Sequence, residues 1–144
     1  MKWIVAAATV LLLPASFAQT RMALATPKDS PVVLVQTTHG IPDALESAQW
    51  VNRSNQQIMS YRIGWLTVIG GKNTFHVGPW MNLPAGVKPG ATATVPAQGI
   101  PLNRKASSMI FYVAGVRFAD GSQWKPTHTA VLRAAQAMDR PPHA

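Results

Sequence analysis

The stretch that most limits what this chain can fold into is L-P-A-G-V-K-P-G-A-T-A-T-V-P-A-Q-G-I-P-L, residues 83–102, where proline or glycine recurs every few positions. Proline removes a backbone donor and clashes with the preceding helical turn, so no helix survives that spacing. The segment must cross the molecule in extended form, and Ala91 to Val95 is expected to pair as a short strand. Around it lie short apolar runs separated by Gly, Pro, Asn and Asp clusters, with little helical periodicity. Pro31 to Thr37 is β-branched and reads as a first strand, and Glu46 to Asn52 as a second.

Ile58 to Ile69 carries the strongest strand pattern. Met59, Tyr61, Ile63 and Trp65 share one face at period two, and Ser60, Arg62 and Gly64 share the other. Beyond Gly64 both faces are apolar, as expected for a strand through the middle of a sandwich. Gly70-Gly71-Lys72-Asn73 predicts a hairpin turn. The following T-F-H-V-G-P-W-M-N-L predicts a strand broken at Gly78-Pro79, and proline confines such a strand to an edge or a bulge. Met109 to Phe118 is another long strand, and its apolar register shifts at Ala114-Gly115, which predicts a bulge.

Residues 116–124, V-R-F-A-D-G-S-Q-W, pose a choice between a turn and a site built on Asp120. Asp-Gly between two apolar strands is a strong hairpin signal, and Asp120 is the only acid between Glu46 and Asp139. A turn over Ala119 to Ser122 is expected, with a last strand through Gln123-Trp124-Lys125. In the tail, Val131, Ala134, Ala135 and Met138 fall at helical spacing. A helix from about Ala130 to Met138, stopped by Pro141-Pro142, would dock on the sandwich or fray, because isolated helices this short are marginal in water.

At the N-terminus one charge, Lys2, precedes an apolar run from Trp3 to Leu13 that is too short to span a bilayer. Pro14 ends the run, and Ser16 and Ala18 supply the small residues of a cleavage site. The pattern is that of a secretory signal peptide over residues 1–18, cut between Ala18 and Gln19. Residues 19–30 are polar and small and read as a flexible leader, residues 31–126 as the β domain, and residues 127–144 as the tail. No later segment is apolar enough to span a membrane, and no cysteine is present to form a lipobox. The expected location is therefore secreted or periplasmic.

The absence of cysteine removes disulfides, thiol catalysis and zinc-thiolate sites together. Stability must come from buried apolar area, which a domain of about 100 residues can supply. Asn52-Arg53-Ser54 matches the N-glycosylation sequon, but a disulfide-free exported domain leans toward a bacterial envelope, where the sequon carries no meaning.

About seven short strands in about 100 residues argue an all-β, antiparallel two-sheet sandwich. Val51 to Trp65 (V-N-R-S-N-Q-Q-I-M-S-Y-R-I-G-W) and Ile110 to Trp124 (I-F-Y-V-A-G-V-R-F-A-D-G-S-Q-W) resemble the immunoglobulin-like and fibronectin-III-like domains of exported bacterial proteins. The resemblance covers roughly Pro31 to Pro126 and implies an immunoglobulin-like sandwich. It implies no catalytic or binding residue, since fold does not fix function.

The formal charge is +8, yet it arises from a shortage of acids, and Arg104-Lys105 is the sole adjacent basic pair. Nucleic-acid binding needs cations gathered on one face and is not expected. His39, His76, His128 and His143 lie far apart, with no pair at ligand spacing. His76 and Met81 have the chemistry of a copper site, which makes a small exported copper protein the alternative reading. No serine elbow, H-E-x-x-H or P-loop is present. The acids Asp29, Asp43, Glu46, Asp120 and Asp139 offer no catalytic pair, so an enzyme is not expected, nor is a cofactor.

Binding remains, to another envelope or extracellular protein or to a polysaccharide. Trp65 and Trp124 sit where a sandwich buries large residues. Trp80, after Gly78-Pro79, is the tryptophan expected to be exposed, with Arg62 and Arg117 adding positive charge to an outer sheet face.

Overall fold

The computed structural model describes residues 20–40, 44–101, 103 and 105–138, with the backbone alone for 39, 40, 44, 98, 99 and 101. The expected signal peptide, Asp43, Asp139 and His143 lie outside the described residues.

Two long antiparallel strands form the spine: β4 (Ile58–Ile69) and β8 (Ser108–Phe118). Each is flanked on its far side by two shorter strands placed end to end. Beside β4 lie β5 (Lys72–Val77) and β6 (Met81–Val87), and beside β8 lie β1 (Arg21–Leu24) and β9 (Gln123–Trp124). A second sheet contains β2 (Val32–Gly40), β3 (Ala44–Asn52) and β7 (Thr92–Pro101) in the order β2-β3-β7. One helix, α1 (His128–Met138), follows the last strand. The described residues thus form a two-sheet β sandwich of nine strands with one short helix.

The inner faces close over a single core. Trp50, Leu45 and Val32 of the three-stranded sheet meet Ile58, Tyr61, Phe111, Met109 and Val116 of the six-stranded sheet, all fully buried. Burying side chains of this size contributes roughly 1.5–3 kcal/mol each. The Tyr61 hydroxyl donates across the sandwich to the Pro96 carbonyl at 2.6 Å, which ties the sheets together. Its burial raises the Tyr61 phenol to a pKa of about 12. The Trp50 ring lies tilted against Tyr61, 5.7 Å between centroids. Its buried Nε1–H finds no acceptor among the described residues, so this packing is retained despite an unpaired donor.

Of the face expected in Ile58–Ile69, Tyr61, Ile63 and Trp65 turn to the core, but a register shift at Met59 puts Ile58 there in its place. Gly70 and Gly71, both at positive φ, make the two-residue turn into β5. In β8 the register runs Arg62↔Gly115 and then Ile63↔Val113, which leaves Ala114 as the extra residue of the expected bulge. The Asp120 question resolves as a turn. Gly121 N–H donates to the Phe118 carbonyl, and the Asp120 carboxylate accepts from the Ser122 amide and hydroxyl. Only Gly121 of the pair adopts positive φ, as in a type I turn closed by a glycine bulge.

Three features differ from the sequence reading. Residues 19–30, read as a flexible leader, include β1, which pairs parallel to β8 from Arg21↔Ser108 to Leu24↔Phe111. The six-stranded sheet is therefore mixed rather than wholly antiparallel. The expected strand Ala91 to Val95 extends to Pro101, because β7 is an edge whose prolines need no ladder donor. The tail helix begins at His128, where the Thr127 hydroxyl caps it by accepting the Ala130 N–H. It docks, burying Val131 and Ala135.

Buried Asn52 is spent on structure. Its Nδ2 donates to the Gln56 and Val87 carbonyls, and its Oδ1 accepts from Ser54. The sequon asparagine is locked in the 52–56 turn.

Candidate functional site

The outer face of the six-stranded sheet is divided at the Ala114-Gly115 bulge. On one side α1 covers it. Val131 packs with Tyr112 and Ala114, Phe75 closes the cluster, and His128 stacks on Phe75 at 3.9 Å between centroids. The space is tight, since a Cβ on Gly64 would lie 2.6 Å from the Tyr112 ring. Burial raises the Tyr112 phenol above its ordinary pKa. Between the second half of the helix and the sheet, a cleft of about 210 Å³ opens over Leu66, Val68 and Ile110.

On the other side no helix among the described residues lies over the face, and a charged cluster occupies it. The chain leaves β5 at a corner, Gly78-Pro79-Trp80, before rejoining the sheet as β6. Gly78 N–H donates to the Ile63 carbonyl at 2.8 Å. The Arg62 guanidinium donates from Nε and Nη2 to the Gly78 carbonyl at 3.0 and 2.8 Å. The corner is thus fastened to β4 through both backbone groups of Gly78. It delivers the Trp80 ring onto Gly115 of β8, where a Cβ would come within 2.8 Å of the ring. The bulge and the glycine together make room for the indole.

Two guanidiniums converge on that indole. Arg117 lies over it with Cζ 3.9 Å from the ring centroid, and Arg62 at 5.1 Å. Trp80 and Arg62 are half-buried and Arg117 is exposed. The other partners of the two cations among the described residues are neutral: the Gly78 carbonyl for Arg62 and, at 3.4 Å, the Gln123 amide oxygen for Arg117. Each cation–π contact contributes about 0.5–1 kcal/mol when exposed, and no carboxylate among the described residues completes the neutralisation.

The register adds a polar row beside the stack. Asn82 of β6, Ser60 of β4, Arg117 of β8 and Gln123 of β9 are successive cross-strand partners. Ser60 is buried and donates to Asn82 Oδ1 at 3.1 Å, while Asn82, Arg117 and Gln123 are exposed.

Trp80, Arg62 and Arg117, each singled out in the sequence, are therefore brought together. Trp65 and Trp124 pack against the core, and Trp50 is fully buried within it. His76 stacks on Trp65 at 5.3 Å, and its Nε2 lies 3.3 Å from the Thr67 hydroxyl. Met81 packs against the core from β6, opposite Tyr61. Among the described residues no three His, Cys, Asp or Glu side chains gather where a metal ion could be held, and no helix is long and apolar enough to cross a membrane. Asn82 and Gln123 had no signal of their own, because their place in the row follows from pairing between distant strands. No family model, curated protein or solved structure matches the chain.

Proposed function

We propose that this chain is an exported, non-catalytic, immunoglobulin-like β-sandwich domain that binds another envelope or extracellular protein or polymer through the Arg62–Trp80–Arg117 surface. One observation carries the reading. Two guanidiniums are held against one half-buried indole, on a sheet face that no described element covers, without a carboxylate partner among the described residues. Like charges this close repel, and an incoming anion relieves that repulsion. Tryptophan and arginine are also the residues in which binding energy concentrates at interfaces. Export is supported by the order of Lys2, apolar run, Pro14, Ser16 and Ala18. No observation favours the copper alternative, since the His76 ring is engaged by Trp65 and Thr67.

The test is capture from the native envelope fraction on immobilised residues 19–144, in parallel with Arg117→Gln. A saturable ligand retained by the parent and released by the variant is expected. Equal retention by both proteins contradicts the proposed surface.

A further inference from the structure

We infer that this surface takes an acidic polysaccharide, with a sugar carboxylate seated on the outward edge of Arg117 and neighbouring hydroxyls on Asn82 and Gln123. The inference rests on the proposed binding surface and specifies its ligand.

Four observations converge on it. Arg117, with Cζ 3.9 Å from the Trp80 ring centroid and Nε donating to Gln123 at 3.4 Å, keeps its Nη donors for a planar oxyanion. Those donors are preorganised, because Trp80 is fixed by its seat on Gly115 and Arg62 is fastened to Gly78; a ligand then orders little on binding. Second, the charge is one-sided. Arg62 adds a second cation, and the row beside it brings only amides and a hydroxyl.

Third, the row fits the length of a short oligosaccharide. Adjacent strands lie about 4.8 Å apart, so four partners in line span roughly 14 Å. Exposed Asn82 and Gln123 at its ends offer both donors and acceptors, which suits sugar hydroxyls. Fourth, the row runs across the sheet from β6 through β4 and β8 to β9, and its donors are side chains on the face rather than backbone groups along an edge. Extended peptides add at a sheet edge and amphipathic helices enter an apolar groove; this surface is neither, and a polymer lying across the strands is the shape it accommodates.

The experiment is titration calorimetry of residues 19–144 with oligogalacturonate, and with a neutral maltooligosaccharide of equal length. The variants are Arg117→Gln, Trp80→Ala and, as a charge control at the start of β5, Lys72→Gln. The acidic oligomer is expected to bind and the neutral one not to. Arg117→Gln is expected to weaken binding at least about tenfold, the loss of a charged hydrogen bond, and Lys72→Gln by less than twofold. Should Trp80→Ala fail to fold by circular dichroism, Arg117→Gln decides alone.

Equal binding of the neutral oligomer, equal losses from Lys72→Gln and Arg117→Gln, or no binding of oligogalacturonate would each overturn the inference. If oligogalacturonate does not bind while an envelope protein is still captured through Arg117, the ligand class falls and the binding surface stands.

Discussion

One sheet face, two strands and one bulge separate two regions of opposite character. Above the bulge, Tyr112 and Ala114 are buried beneath Val131 of α1, with Gly64 against the Tyr112 ring. Below it, Arg62, Arg117 and Trp80 form a surface that no described element covers. Each half uses a glycine to admit a ring, Gly64 for Tyr112 and Gly115 for Trp80. The upper ring is sealed from solvent and the lower one is left half-buried between cations. Close packing alone therefore does not mark structural residues here. The lower half is packed with similar care and still presents unneutralised charge outward, which a purely structural clamp does not require.

The largest effect should come from breaking the upper half. Val131→Asp places a charge at a fully buried position and should cost at least about 2 kcal/mol, with α1 leaving the sheet. Urea unfolding would measure this, and ligand binding by the lower half should persist. Loss of both together would show that the halves are not independent.

The two glycines sharpen the contrast. Gly64→Ala and Gly115→Ala should each cost about 1–3 kcal/mol by overpacking. Only Gly115→Ala should also weaken ligand binding, because it displaces Trp80. Equal effects on binding would remove the distinction.

The core beneath both halves supplies the reference, and pH reads it. The Tyr61 phenol is pushed up to about 12 by burial. Its stabilising contribution is full below the unfolded value near 10 and is lost as pH rises through about 12. Tyr61→Phe should lack that alkaline limb in a series of thermal melts, after a fixed loss from leaving the Pro96 carbonyl unpaired.

The smallest effect belongs to the exposed turn. Hydrogen bonds from the Ser122 hydroxyl and amide hold the Asp120 carboxyl below its ordinary 3.8. Its contribution is present above that value and lost as pH falls through the lower folded one. A urea midpoint followed through this range should fall slightly more in the parent than in Asp120→Asn, whose amide oxygen still accepts from Ser122.

Elements set by local pattern were legible in the sequence. The alternation from Tyr61 to Trp65, the register shift at Ala114-Gly115 and the Asp-Gly turn all follow from neighbours in the chain and are found where expected, whereas Met59 yields its core place to Ile58 at a shift set by the flanking strands. β1 was not legible. Arg-Met-Ala-Leu lacks β-branched residues, and its strand state comes from pairing with β8 far along the chain. The site divides in the same way. Proline next to Trp80 and the alternation around Arg62 and Arg117 indicated an exposed ring and outward cations. That all three meet depends on β6 pairing with β4 and on Gly115 lying beneath the indole, which no local pattern encodes.

The most direct test of the central claim follows the indole N–H signals in a proton–nitrogen NMR spectrum during titration with oligogalacturonate. Trp50, Trp65, Trp80 and Trp124 each provide one reporter. The Trp80 signal should move saturably while that of fully buried Trp50 stays in place. A titration in which Trp80 does not move, or in which Trp65 or Trp124 moves instead, would contradict the placement of the binding surface on the uncovered half of the sheet.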